Sequence, residues 1–212
     1  MHTRLLRCPW IALLCAGLAT SGCSGAPRPD AAARVFVEGP ARWLMMPEEE
    51  KEARSLRDNR EALLFIEGFW KRRDPTPRDP ENPVRTAFHE RSMAADRLYG
   101  EGNRRGSLTD RGHVLMLFGP PSTLRYQQQA VPTLKPDPQR GTAEPATRWM
   151  TQETWVYEPA DWPAGFAELL PEDERRNPVS FVFAAEARRS YLLSGERYLA
   201  LAARAVAGEE RD

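Results

Sequence analysis

The chain has 212 residues, 41% hydrophobic and 28% charged, with 30 basic residues against 30 acidic ones. That is enough for one domain with a real core plus a tether. The balanced charge leaves no basic footprint for nucleic acid, which excludes that class of partner.

The N-terminus reads as an export signal. Arg4 and Arg7 form a positive region, Pro9 to Thr20 is an apolar stretch too short to span a bilayer, and small residues follow. Ala19-Thr20-Ser21-Gly22-Cys23 resembles the lipobox of bacterial lipoproteins, with Thr20 where the usual pattern has leucine. The resemblance implies cleavage before Cys23 and a diacylglycerol on its thiol; the alternative is an ordinary secreted protein cut near Ala26. Cys8, Cys15 and Cys23 are the only cysteines, so the mature chain would keep one thiol, already lipidated, with no disulfide or cysteine metal site. At about 0.8 kcal/mol per buried methylene, two or three acyl chains hold a protein on a membrane almost irreversibly. Ser24 follows where aspartate would favour inner-membrane retention, so the expected location is the periplasmic face of an outer membrane. Residues 1–22 are expected to be the signal, 23–46 the lipidated cysteine and a flexible tether, 47–207 the domain, and 208–212 a solvated tail.

Within the domain, Pro47-Glu48-Glu49-Glu50 sets a helix start, and one helix is expected to run to about Arg72, with Leu56, Leu63, Ile66 and Trp70 on its inner face. Asp74-Pro75-Thr76-Pro77 stops it. A second helix starts at Asn82 as N-cap with Pro83 at its first position, and places Val84, Phe88, Arg91, Ala95 and Leu98 inward. Arg91 among apolar neighbours either snorkels or meets a buried carboxylate. The best-specified stretch is Gly106 to Pro121, GSLTDRGHVLMLFGPP. Asp110 is expected to accept turn N–H groups and Gly112 to take a positive φ, after which His113 to Phe118 reads as a central strand ended by Pro120 and Pro121. A buried helix fragment is the alternative for so short an apolar run. Residues 122–152, with Pro132, Pro136, Pro138 and Pro145, read as a long mobile loop, either functional or a passive insertion. Strands are expected at Thr154–Tyr157, Val179–Ala184 and Ser190–Leu193, a short helix at Pro163–Leu170 and a last one at Glu196–Ala207.

These blocks carry a resemblance. Phe69-Trp70, Arg73-Asp74-Pro75, Asn82, Arg91, Gly106-Ser107-Leu108-Thr109-Asp110, Arg111-Gly112, Gly119-Pro120-Pro121 and Trp155-Val156-Tyr157 resemble, in order and spacing, the GWxTD domain of bacterial envelope proteins. The resemblance covers about residues 48 to 195. It implies an envelope address and a fold type without a mechanism, and Ser107 departs from it by standing where the family has tryptophan. The order of elements also resembles the small lipoproteins of the outer-membrane β-barrel assembly machinery. That favours α+β, with N-terminal helices packed on one face of a small antiparallel sheet.

The chemistry on offer is limited. Beyond the signal only His89 and His113 remain, both read as surface or capping residues, and no Gly-x-Ser-x-Gly elbow, His-Glu-x-x-His or phosphate-binding glycine pattern is present. No cofactor is expected. Asp74 and Asp110 are candidates for a hydrolytic carboxylate pair, but Arg73 and Arg111 stand beside them and would keep both ionised. The structural reading joins Arg73, Asp74, Arg91, Asp110 and Arg111 in one charge-assisted network, and treats Trp70, Trp155 and Tyr157 as core aromatics. The leading expectation is a non-enzymatic, lipid-anchored module that binds another envelope protein or a cell-wall component. An envelope hydrolase using Asp110 on glycan or peptide, and a passive spacer, are the alternatives.

Overall fold

The computed structural model describes residues 31–137, 141–186 and 189–208. The proposed signal and Cys23 lie outside them. Seven helices and one four-stranded sheet are present among these residues, an α+β architecture as expected. None of the described helices is long and apolar enough to cross a membrane.

The first helix, α1 (Ala31–Glu38), and a 3₁₀ turn at Pro40–Leu44 lie in the span expected to be tether. They fold because their apolar residues have somewhere to go. Ala41 and Leu44 are buried, and the Phe36 ring meets Phe65, Phe69 and Trp70 edge-on at 5.3 to 6.5 Å. The single helix expected from Pro47 to Arg72 is two, α2 (Pro47–Ser55) and α3 (Asn59–Arg72). Leu56 turns extended between them, and Asp58 caps α3 by accepting the Glu61 N–H at 2.9 Å. The buried face of α3 is Ala62, Phe65, Phe69 and Trp70, while Leu63, expected inward, is exposed. Helix α4 (Pro83–Leu98) starts as read from the sequence. Asn82 accepts the Arg85 N–H and donates to the Trp70 carbonyl at 2.7 Å, so one side chain caps α4 and satisfies the last turn of α3. Phe88 and Ala95 point inward; Leu98 is exposed.

The apolar run after the motif turn is a helix, α5 (Asp110–Phe118), and not the expected strand. Thr109 is its N-cap, accepting the Gly112 N–H at 3.1 Å, and Gly119 closes it at φ +80° with its N–H on the Leu115 carbonyl. Its second half is apolar all round because it is the central buried helix, with Val114 to Phe118 all enclosed. Gly112 does not take positive φ; it is needed for close approach. A Cβ there would stand 1.9 Å from the Gly106 carbonyl oxygen, and one on Gly106 would stand 1.8 Å from that of Ala95.

The sheet is an antiparallel meander in the order β1 (Thr123–Asp137), β2 (Thr142–Tyr157), β3 (Val179–Glu186), β4 (Arg189–Ser194). A one-turn helix, α6 (Phe166–Leu169), fills part of the β2–β3 connection, and α7 (Glu196–Ala207) ends the domain. Trp155, Tyr157, Phe181 and Phe183 on the inner face are fully enclosed, packed against Tyr99, Phe118 and Tyr198 from the helical layer, and Phe166 packs in turn on Phe118 and Tyr198. Trp70, Trp155 and Tyr157 are thus core aromatics.

Of the expected mobile loop, Pro138 lies outside the described residues, and residues 123–137 and 142–152 are strands. They make most of a long β1–β2 hairpin, in register from Thr123 opposite Val156 to Asp137 opposite Thr142. Proline fits a ladder only where its nitrogen points away from the paired strand. Pro132, Pro136 and Pro145 all belong to pairs of one parity, opposite Thr147, Ala143 and Leu134. One arrangement therefore accommodates all three.

Candidate functional site

The motif residues do not form the single network expected of them; they hold separate junctions. Arg73, 3% exposed, donates to both oxygens of Glu49 and to the carbonyls of Leu44 and Phe69, and Arg72 donates from Nε and Nη2 to the one oxygen Oε1 of Glu49. Asp74, adjacent in sequence, instead accepts the Thr76 N–H at 3.0 Å. Arg91 neither snorkels nor meets a carboxylate: its Nη1 donates to the carbonyls of Met116 and Leu117, both at 3.1 Å, capping the C-terminus of α5. Gly119 packs over that guanidinium, 3.1 Å from its Nη2 at the position a Cβ would take, while its carbonyl accepts the Tyr157 hydroxyl at 2.8 Å. Pro120 follows on the exposed side. Asp110 accepts the Leu192 N–H at 2.9 Å, tying α5 to β4 and not closing its own turn.

Arg111 enters a second buried node. It donates to Ser190 Oγ at 3.0 Å and Glu153 at 3.2 Å, while Glu101 accepts both the N–H and the hydroxyl of Ser190 and Glu153 accepts the Trp155 indole N–H at 2.6 Å. Arg111 and Trp155 thus share one acid. Glu49, Glu101 and Glu153 are the partners that sequence reasoning missed. Their separations from the arginines exceed helical spacing, so periodicity offered no signal for them.

A cleft of ≈ 520 Å³ opens beside Asp110, walled by Arg42, Trp43, His113, Glu50 and Glu196. His113 is neither a surface nor a capping residue: it stacks on Trp43 at 4.0 Å and 15° between planes. Burial pushes its pKa down to about 4, and the Arg42 charge adds to that effect. The Arg42 guanidinium lies 4.1 Å from the Trp43 ring, and the Trp43 indole N–H donates to the Ser107 carbonyl at 2.8 Å. His89 is exposed on α4, as expected. No group of three or more histidine, cysteine or acidic side chains among the described residues is placed to hold a metal ion.

The most conspicuous surface is the hairpin arm. Only Thr151–Tyr157 of β2 pair with β3, so residues 142–150 and their β1 partners 129–137 have no further strand beside them among the described residues. At about 3.4 Å per residue the arm extends roughly 30 Å beyond the sheet. Its two faces differ. Leu124, Tyr126, Leu134 and Trp149 lie on the face continuous with buried Trp155 and are 43, 65, 66 and 68% exposed. The opposite face carries Arg125, Gln127, Gln129, Lys135 and Arg148. Three prolines confined to one parity also remove donors that an open edge would offer to a stray strand.

Comparison with known protein families, with curated proteins and with solved structures returns no match.

Proposed function

We propose that this chain is a lipid-anchored, non-enzymatic envelope protein of the GWxTD kind, held by acyl chains on Cys23 at the periplasmic face of an outer membrane. There it binds another envelope protein through the β1–β2 arm. The observation that carries this reading is the arm's apolar face. A two-stranded ribbon is marginal in water by itself, and one that leaves Trp149, Tyr126 and Leu134 uncovered gains stability when a partner covers them. The motif residues support the reading from the other side, because Arg73, Asp110 and Arg111 are committed to internal junctions.

The test places a photoreactive residue at Trp149 and, separately, at Gln129 on the opposite face, in the native cell. The reading expects one envelope protein enriched from position 149 and absent from 129, with capture lost in Leu134→Asp. Equal capture from both faces, or none, would remove the arm as an interface. The anchor is tested independently: Cys23→Ala should release the protein from the membrane fraction, and retention of the variant sinks that premise.

A hydrolase reading has one observation in its favour, the meeting of Asp110, Glu50, Glu196 and His113 around one cleft. Against it, His113 at a pKa near 4 is a weak base at neutral pH, and Asp110 already holds the Leu192 amide. Turnover of cell-wall substrates that vanishes in Asp110→Asn at unchanged melting temperature would reverse the preference.

A further inference from the structure

A groove of ≈ 540 Å³ runs between the C-terminal end of α3, the first half of α4, the end of α5 and the end of α7. Its walls are apolar: Leu44, Val84, Phe88, Met116, Leu117 and Val206 are the main contributors. Its volume lies in the range of small-molecule sites, and such sites combine an apolar lining with a few polar groups that fix orientation.

The polar group here is Arg91. Of its donors, Nη1 is taken by the carbonyls of Met116 and Leu117, whereas Nε and Nη2 have no hydrogen-bond partner among the described residues. No carboxylate pairs with it among those residues, and desolvation by burial pulls its pKa down from the ordinary arginine value. Two other enclosed arginines are treated differently. Arg73 has Glu49 and Arg111 has Glu153. The acid on the groove wall, Asp74, is engaged with the Thr76 amide, and Arg72 on the same wall is already paired with Glu49. The groove therefore presents a half-buried cation with free donors and no counter-charge, in surroundings where such a charge is costly to leave unmatched.

We infer that this groove binds an aliphatic monocarboxylate, its alkyl chain along the α4–α5–α7 walls and its carboxylate on Arg91. Guanidinium meets carboxylate through two parallel N–H bonds, which is what the free Nε and Nη2 pair offers. The site is separate from the arm and does not rest on the arm's proposed role.

The experiment uses the full chain carrying Cys23→Ala, so that no acyl chain of its own competes. Titration calorimetry with decanoate is compared with 1-decanol and decylamine of the same chain length. The expected result is saturable one-to-one binding of decanoate, at least tenfold weaker binding of the alcohol and the amine, and a raised melting temperature with decanoate. Ala87→Trp, which fills the groove from α4, should abolish binding without lowering the melting temperature. If that variant fails to fold, Val84→Phe serves the same purpose. No saturable binding, equal binding of decanol, or decanoate binding that survives the filled groove would each overturn the inference. So would a peptide ending in an apolar residue with a free carboxylate that displaces decanoate at lower concentration.

Discussion

Replacing Glu49 by glutamine removes the charge but almost none of the volume at the most enclosed ion pair of the domain. Glu49 and Arg73 are 9% and 3% exposed, and the carboxylate accepts two hydrogen bonds from Arg73, two from Arg72 and one from the Met46 N–H. Removing one partner of a buried pair costs about 3–5 kcal/mol, because the survivor keeps an uncompensated charge. Against a typical total of roughly 5–15 kcal/mol, Glu49→Gln should lose about a fifth or more of the stability. Urea unfolding reads this as a fall in midpoint at unchanged slope. Glu50→Gln, one residue along in an exposed pair with Arg54, is the control and should change stability by less than about 1 kcal/mol. The pH dependence gives a second handle. Burial raises the Glu49 pKa, but the Arg73 hydrogen bonds, the Met46 N–H and Arg72 outweigh it, so the net shift is downward. Its contribution is therefore fully present above the unfolded-state value and lost as pH falls through the folded one. The gap between wild type and Glu49→Gln should close as the solution is acidified below the ordinary carboxylate range. A Glu49→Gln loss no larger than that of Glu50→Gln, or a gap independent of pH, would refute the assignment of this pair as the clamp between the 3₁₀ turn, α2 and α3.

Gly112→Ala should cost about 3 kcal/mol or more, the upper end of overpacking, because its Cβ would press on the Gly106 carbonyl at 1.9 Å; a melting temperature within a few degrees of wild type contradicts the close-approach account. His113, neutral in the folded state down to a pKa of about 4, makes the native state lose stability as pH drops from the unfolded value near 6.5 towards 4. His113→Phe, which keeps the stack on Trp43, should flatten that slope, and an NMR titration of the His113 ring above pH 6 would count against burial as its cause. Ser107 is fully enclosed, its N–H is on Asp96, and its Oγ makes no well-formed hydrogen bond among the described residues, so Ser107→Ala should change stability by no more than about 1 kcal/mol in thermal melts.

How much of this was legible depends on whether the signal was local. Helix α4 was readable because Asn82 and Pro83 state its start in two adjacent residues, and α7 and β3 because their apolar spacing is clean. The run Val114–Phe118 defeated periodicity for a physical reason: a helix enclosed on every side has no polar face to set a phase. Its ends did carry the answer, Thr109 and Asp110 at the start and Gly119 past the close, but the same residues also serve turns and strand ends. The arm is hidden because each proline taken singly argues against a strand. Only the register reveals that Pro132, Pro136 and Pro145 share a parity. Of the candidate site, Arg73 and Arg111 were identified as charged anchors, whereas Glu49, Glu101 and Glu153 are partners distant in sequence, and no single-chain pattern points to them.

Helix α1 begins at Ala31, and Phe36 locks it onto α3. For a chain anchored at Cys23 this turns a long leash into a short one. Seven residues, 24–30, can reach at most about 25 Å, far less than a tether running to residue 46 would allow. The domain would then work as a bracket close to the lipid surface, and the reach of the complex into the periplasm would be set by the length and direction of the arm.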